Sequence, residues 1–105
     1  NEIPVVLVHG FWNNHRFLRY LSKGLKAAGY TVFDDLDLKP NNGNASITFL
    51  AEELAKYILK TAGNEGPVHL LGFSMGGLVC RYYLQFLGGQ GRVRKLITIG
   101  TPHHG

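Results

Sequence analysis

One cysteine, one methionine and one tryptophan stand in this 105-residue chain. The lone cysteine, Cys80, rules out an intrachain disulfide and any C-x-x-C site. It is expected to serve as a small buried hydrophobe on a helix. No apolar run approaches the roughly 18 residues of a membrane span, and no signal segment is visible. These absences lean to the cytoplasm, although a mature secreted protein would look the same. Acid is scarce too: seven Asp and Glu face eleven Lys and Arg, for a net charge of +4. The bases are dispersed, with one dense cluster at Arg92, Arg94 and Lys95. No basic stripe with interleaved aromatics runs along the chain, so a nucleic-acid partner is not expected. Neither GxGxxG nor GxxxxGK[ST] occurs, which argues against a dinucleotide or nucleotide triphosphate site. No metal site or cofactor is implied.

What the chain has in quantity is glycine, at 14 residues, and an alternation of strand-like and helix-like segments. "VVLV" (Val5–Val8) is a β-branched run that ends at His9-Gly10. Leu18, Leu21 and Leu25 then share one face of a helix expected from about Asn14 to Ala28, with Gly29 as its C-cap. "YTVFD" (Tyr30–Asp34) reads as a second strand. After the polar loop "KPNNGNAS", Asn44 or Ser46 can cap a second helix. That helix carries Ile47, Leu50, Leu54 and Ile58 inward, with Glu52 spaced to pair with Lys56. Asn44-Ala45-Ser46 also fits the N-glycosylation pattern, a common chance match. "VHLLGF" is a third strand, Met75 to Leu87 a third helix ended by Gly88-Gly89, and "RKLITIG" a fourth strand. Continuous apolar strands alternating with helices predict an α/β fold in one domain over residues 1–105. It is a parallel four-stranded sheet covered on both faces. Right-handed crossovers with one reversal of winding give the order 2-1-3-4. The switch point, where ligands bind in open α/β sheets, then lies between the first and third strands.

Gly72-Phe73-Ser74-Met75-Gly76 follows the third of those strands. With 14 Gly and three Ser in the chain, random placement yields about 0.05 such matches, so the pattern needs its context. The context is a strand running straight into a helix. Glycine at 72 and 76 relieves the collision that bulky side chains would suffer in so sharp a turn, and Ser74 is left exposed above the sheet as a candidate nucleophile. Its position at a helix N-terminus gives the Met75 N–H, at the positive end of the helix dipole, as a donor for a developing oxyanion. The loop after the first strand, "HGFW", offers a second donor, and Phe11 N–H is the choice over Trp12.

"VVLVHGFW", "GFSMGGLVCRYYL" and "RVRKLITIGTPHHG" resemble the lipase and esterase branch of the α/β-hydrolase superfamily, in its order and spacing. The resemblance implies a serine carboxylic-ester hydrolase acting through an acyl-enzyme on a small acyl ester or lipid. It carries over Ser74 as nucleophile, Phe11 and Met75 as oxyanion donors, and His9 as the structural His of the HG motif. Phe73 stands where many lipases have His, a change expected to affect packing. In the family the acid and then the base follow the serine, whereas here the matching segment ends at "TPHHG".

Five histidines could supply a base. His69, inside the third strand, is expected to be buried and hydrogen-bonded. His15 lies near the start of the first helix, either exposed or at the mouth of the cleft. His103 and His104 follow the fourth strand at the same end of the sheet as Ser74 and are the candidate bases. Asp34, Asp35 and Asp37 lie on the far side of the first strand, where a Ser–His–acid line cannot form; they are expected to be solvated turn residues. The expectation is therefore a fragment of a longer hydrolase, weakly active or inactive alone. An apolar edge strand at 95–100 would be open to pairing in a homo-oligomer. A non-catalytic α/β-hydrolase-like binding module is the alternative, and acyl transfer on the same scaffold a third reading.

Overall fold

The computed structural model describes residues 3–9, 15–38, 46–64, 66–73 and 75–100. Its first strand, β1 (Val5–His9), is buried on both faces except at His9. Side chains alternate across a strand, and the partition is clean. Val6 and Val8 join the larger apolar cluster, while Val5 and Leu7 join the smaller one. The larger cluster is built on α2 (Ile47–Ala62) and α3 (Met75–Phe86), through Leu50, Leu54, Ile58, Val79, Cys80 and Tyr83. The smaller receives Leu18, Leu21 and Leu25 of α1 (His15–Ala27). Each fully buried Leu, Ile or Val contributes about 1.5–3 kcal/mol, so the α2–α3 face dominates the stability.

The remaining strands are β2 (Val32–Phe33), β3 (Val68–Phe73) and β4 (Val93–Ile99). All pair in parallel, in the order β2-β1-β3-β4. The expected topology is thus the observed one, with helices on both faces. Gly29 (φ 100°) ends the α1 region and Gly63 (φ 80°) caps α2, both in the left-handed backbone that glycine favours. Of the two cap candidates Ser46 takes the role, its hydroxyl accepting the Phe49 N–H at 3.1 Å.

Two local expectations need correction. β2 covers two residues rather than Tyr30–Asp34, because Asp34 turns away to accept the Ser22 hydroxyl and to pair with Lys26 at 3.4 Å. Lys56 pairs with Glu53, one turn back at i,i+3, rather than with Glu52. Asp34 and Asp35 are exposed, as expected of solvated turn residues, and each also holds a side-chain contact: Asp34 those with Ser22 and Lys26, and Asp35 the Tyr57 hydroxyl, to whose oxygen it returns its own N–H at 3.3 Å. The Ser22 hydrogen bond, helped by Lys26, holds the Asp34 carboxyl below the usual carboxylate range despite its partial burial. Among the described residues no helix is long and apolar enough to cross a membrane.

Candidate active site

β1 and β3 are neighbours although β2 and two helices separate them in sequence, so the winding reverses between them. Their carboxyl ends meet at one ladder pair, His9 opposite Phe73. The nominated nucleophile and oxyanion donors follow that pair in sequence, whereas the candidate bases His103 and His104 follow β4. The "HGFW" loop leaves from His9, and Ser74 follows Phe73. Ser74, Phe11, His103 and His104 themselves lie outside the described residues, as does the side chain of His15. The described residues around them set what the site can be.

Gly72 and Gly76 are both buried. A Cβ on Gly72 would stand 2.6 Å from the Cα and 2.9 Å from the N of Gly77. A Cβ on Gly76 would stand 2.7 Å from the carbonyl carbon of Val8, closer still to its oxygen, and 3.0 Å from the Cα of His9. The first turn of α3 therefore rests on the bare backbones of both β3 and β1. Only glycine permits helix and strand main chains to approach so closely. Gly77 was not singled out from the sequence, although the doubled glycine was its signal. Val79 and Cys80, further along α3, carry the helix into the core with no exposure. Burial pushes the Cys80 thiol well above its ordinary pKa, which leaves it an inert hydrophobe.

The N-terminus of α3 is Met75, so the helix points its unpaired first-turn N–H groups toward the carboxyl end of the sheet. On the β1 side, His9 Nε2 bonds to the Leu36 carbonyl at 2.9 Å. That contact ties the start of the "HGFW" loop to the segment after β2, and agrees with a structural His9. A small polar recess beside it is lined by His9, Leu18, Arg19 and Asp34. On the α1 face, the Phe73 ring stacks on Phe17, with centroids 5.3 Å apart and planes 24° from parallel.

His69 departs from expectation. Its Nδ1 is buried but has no hydrogen-bond partner. It lines a groove of about 240 Å³ with Val5, Leu25, Tyr30, Leu71, Lys95 and Ile97. Burial, together with the positive charges of Lys95 and Arg94, pushes its pKa below the ordinary value. His69 lies four positions before Phe73, about 13 Å along the strand at ~3.3 Å per residue, too far to act at the carboxyl end. No group of three or more His, Cys, Asp or Glu among the described residues could hold a metal.

Comparisons with known proteins agree with this architecture. The chain is similar to a pyrethroid hydrolase from Sphingobium faniae JZ-2, at 25% identity and a TM-score of 0.70, over 94% of this chain and 40% of that one. It is similar also to an extracellular α/β-hydrolase from a Paenibacillus species, at 23% identity and a TM-score of 0.71, again over 94% and 40%. That protein is described as sharing structural and functional homology with tobacco salicylic acid binding protein 2. The chain thus spans 40% of the length of these solved hydrolases. No curated protein matches it significantly. Residues 4–105 match the model of the palmitoyl protein thioesterase family. With the sheet order, the match over nearly the whole sequence means that this chain belongs to the palmitoyl protein thioesterase family of α/β-hydrolases.

Proposed function

We propose that the chain carries the nucleophile and oxyanion elements of a serine hydrolase that cleaves acyl thioesters or esters. The observation that carries this reading is the seating of α3 on bare backbone at Gly72 and Gly76. A strand that passes into a helix over a single intervening residue, with glycine two positions to either side, leaves that residue, Ser74, at the apex of a sharp turn. The described residues on either side of it, Phe73 and Met75, end β3 at the winding reversal from β1 and begin α3. The family match favours a thioester over the oxygen ester that the lipase resemblance implied.

In this mechanism Ser74 Oγ attacks the acyl carbonyl carbon as its proton passes to a base. The carbonyl oxygen becomes an oxyanion between the N–H groups of Met75 and Phe11. The C–S or C–O bond then breaks, the thiol or alcohol leaves with the proton, and water hydrolyses the acyl-enzyme. Each oxyanion donor is worth roughly 10²–10³ in rate. His103 and His104 remain the candidate bases within the chain. Neither described imidazole replaces them, since His9 is tied to Leu36 and His69 lies deep along β3.

The test is hydrolysis of a p-nitrophenyl ester and of an acyl thioester by three proteins. They are this chain, its Ser74→Ala variant, and a chain lengthened beyond Gly105 to the size of the solved hydrolases. The lengthened chain is expected to turn over the thioester fastest, and Ser74→Ala to abolish turnover. Turnover by the lengthened chain that survives Ser74→Ala would refute the assignment.

A further inference from the structure

α1 buries one stripe and presents another. Leu18, Leu21 and Leu25 pack on the smaller apolar cluster. The opposite stripe, Arg16, Tyr20, Lys23 and Ala27, therefore faces away from the sheet, at spacings of four, three and four. All of these are exposed, as are Arg19 and Lys26 beside them. α1 carries four cations and no acid. α2 differs, since its charged residues are Glu52, Glu53, Lys56 and Lys60, two of each sign. Interspersed signs are what solubility alone asks of a helix. Tyr20 stands between Arg16 and Lys23 and, at 75%, is the most exposed large hydrophobic residue among those described. An open recess of about 550 Å³ adjoins it, lined by Tyr20, Leu21, Lys23, Gly24, Leu25 and Ala27. A Cβ on Gly24 would meet nothing within 4 Å there. Along the sequence these residues are interrupted by leucines, and only the helix gathers the cations and the ring on one side.

We propose that the outer face of α1 docks on a bilayer surface that contains anionic phospholipid. Arg16, Arg19 and Lys23 meet the headgroup phosphates and carboxylates, and Tyr20 enters the headgroup layer with its hydroxyl toward water. Lys26 adds less, because Asp34 stands 3.4 Å from its ammonium. The recess beside Gly24 receives the apolar matter that the ring displaces. The leucine stripe of α1 is already spent on the sheet, so the attachment is electrostatic and reversible rather than an insertion of the helix. A convex helix with flexible basic stems suits a fluid surface, whose charges rearrange to meet it. A folded acidic partner would call for a cleft of matching contour. This docking is independent of the chemistry proposed at Ser74.

The experiment sediments the 105-residue chain with sucrose-loaded vesicles of phosphatidylcholine alone or of equimolar phosphatidylcholine and phosphatidylserine. Binding should need phosphatidylserine, and about 1 M salt should release it, since the screening length then falls to about 3 Å. Each basic residue near an anionic surface is worth about fivefold in partition. Arg19→Gln with Lys23→Gln should therefore weaken binding about 25-fold. Tyr20→Ser should weaken it while leaving its salt dependence unchanged. Lys56→Gln with Lys60→Gln removes the same charge from exposed positions of α2, on the opposite face of the sheet, and should leave binding nearly unchanged. Equal loss from the two pairs would mean attraction by net charge alone and would overturn the docking face. Equal binding to both kinds of vesicle, or binding to neither, would overturn it as well. Displacement from the vesicles by duplex DNA or polyglutamate at a lower concentration of charge than the vesicles present would assign the face to a polyanion instead.

Discussion

Gly76→Ala and Gly24→Ala make the same chemical change in two helices and should act in opposite directions. Gly24 lies inside α1 with nothing within 4 Å of a new Cβ. Alanine there gains the helix-propensity difference of about 0.8–1.0 kcal/mol. Gly76 sits in the first turn of α3, where the new Cβ meets the Val8 carbonyl carbon at 2.7 Å, against an ordinary contact of 3.4 Å or more. The obstacle is strand backbone, with no side chain that can swing away. Relief requires α3 to retreat from β1 by about 0.7 Å, the gap between those two distances, and by more to clear the Val8 oxygen. Overpacking of this kind costs typically 1–3 kcal/mol and occasionally more. Rigid backbone puts Gly76→Ala at the upper end, near 3 kcal/mol, and the propensity gain returns about 1. The expected net loss is about 2 kcal/mol or more. At roughly 4–8 °C per kcal/mol for a domain of this size, Tm should fall by about 8–16 °C for Gly76→Ala and rise by a few degrees for Gly24→Ala. Thermal unfolding followed by circular dichroism at 222 nm, checked by urea titration, reads both. A Gly76→Ala variant within about 0.5 kcal/mol of wild type, the range of an ordinary surface change, would refute the close seating of α3 on β1.

Two further outcomes follow from described contacts. Arg92 donates from Nε to the Gly66 carbonyl and from Nη2 to the carbonyls of Ala62 at 3.2 Å and Gly63 at 2.6 Å, closing the end of α2. Arg92→Met keeps the aliphatic stem and should cost about 1–2 kcal/mol, below the ~1.5–3 of a well-shielded charged hydrogen bond because two of the three bonds are exposed; an unchanged urea midpoint would contradict this. His69, whose folded pKa lies below its ordinary 6.5, binds a proton more weakly folded than unfolded. Stability is therefore intact above the unfolded value and falls as pH drops through it toward the folded one. His69→Leu should flatten the pH–stability curve where pH falls below the ordinary histidine value of 6.5, and an unchanged slope would show that other groups produce it.

Much of the architecture was legible because it rests on periodicity. The alternation of apolar strands with three-to-four-residue helical spacing predicted four strands, three helices and the sheet order. The glycines flanking Ser74 were legible too, since a strand that enters a helix without a loop has little else to use. What escaped was decided by long-range choices between near-equivalent local options. Nothing in "YTVFD" says that Asp34 will leave the strand for Ser22, because Ser22 lies on a helix twelve residues earlier. Glu52 and Glu53 are both within reach of Lys56, and rotamer and neighbours select Glu53. His69 was expected to find a partner because buried imidazoles usually do; its Nδ1 is instead buried with none, and the residue lines a groove shared with aliphatic side chains, Tyr30 and Lys95. The Phe17–Phe73 stack was invisible because the rings are far apart in sequence, in elements whose relative placement only the fold defines.

The two outer strands of the described sheet are unequal. β2 offers two residues of ladder, whereas β4 runs for seven, with Ile97 54% exposed in its middle. Any strand laid beside β4 would thus find seven residues of ladder to pair with, and one laid beside β2 only two, so the described sheet extends far more readily on its β4 side.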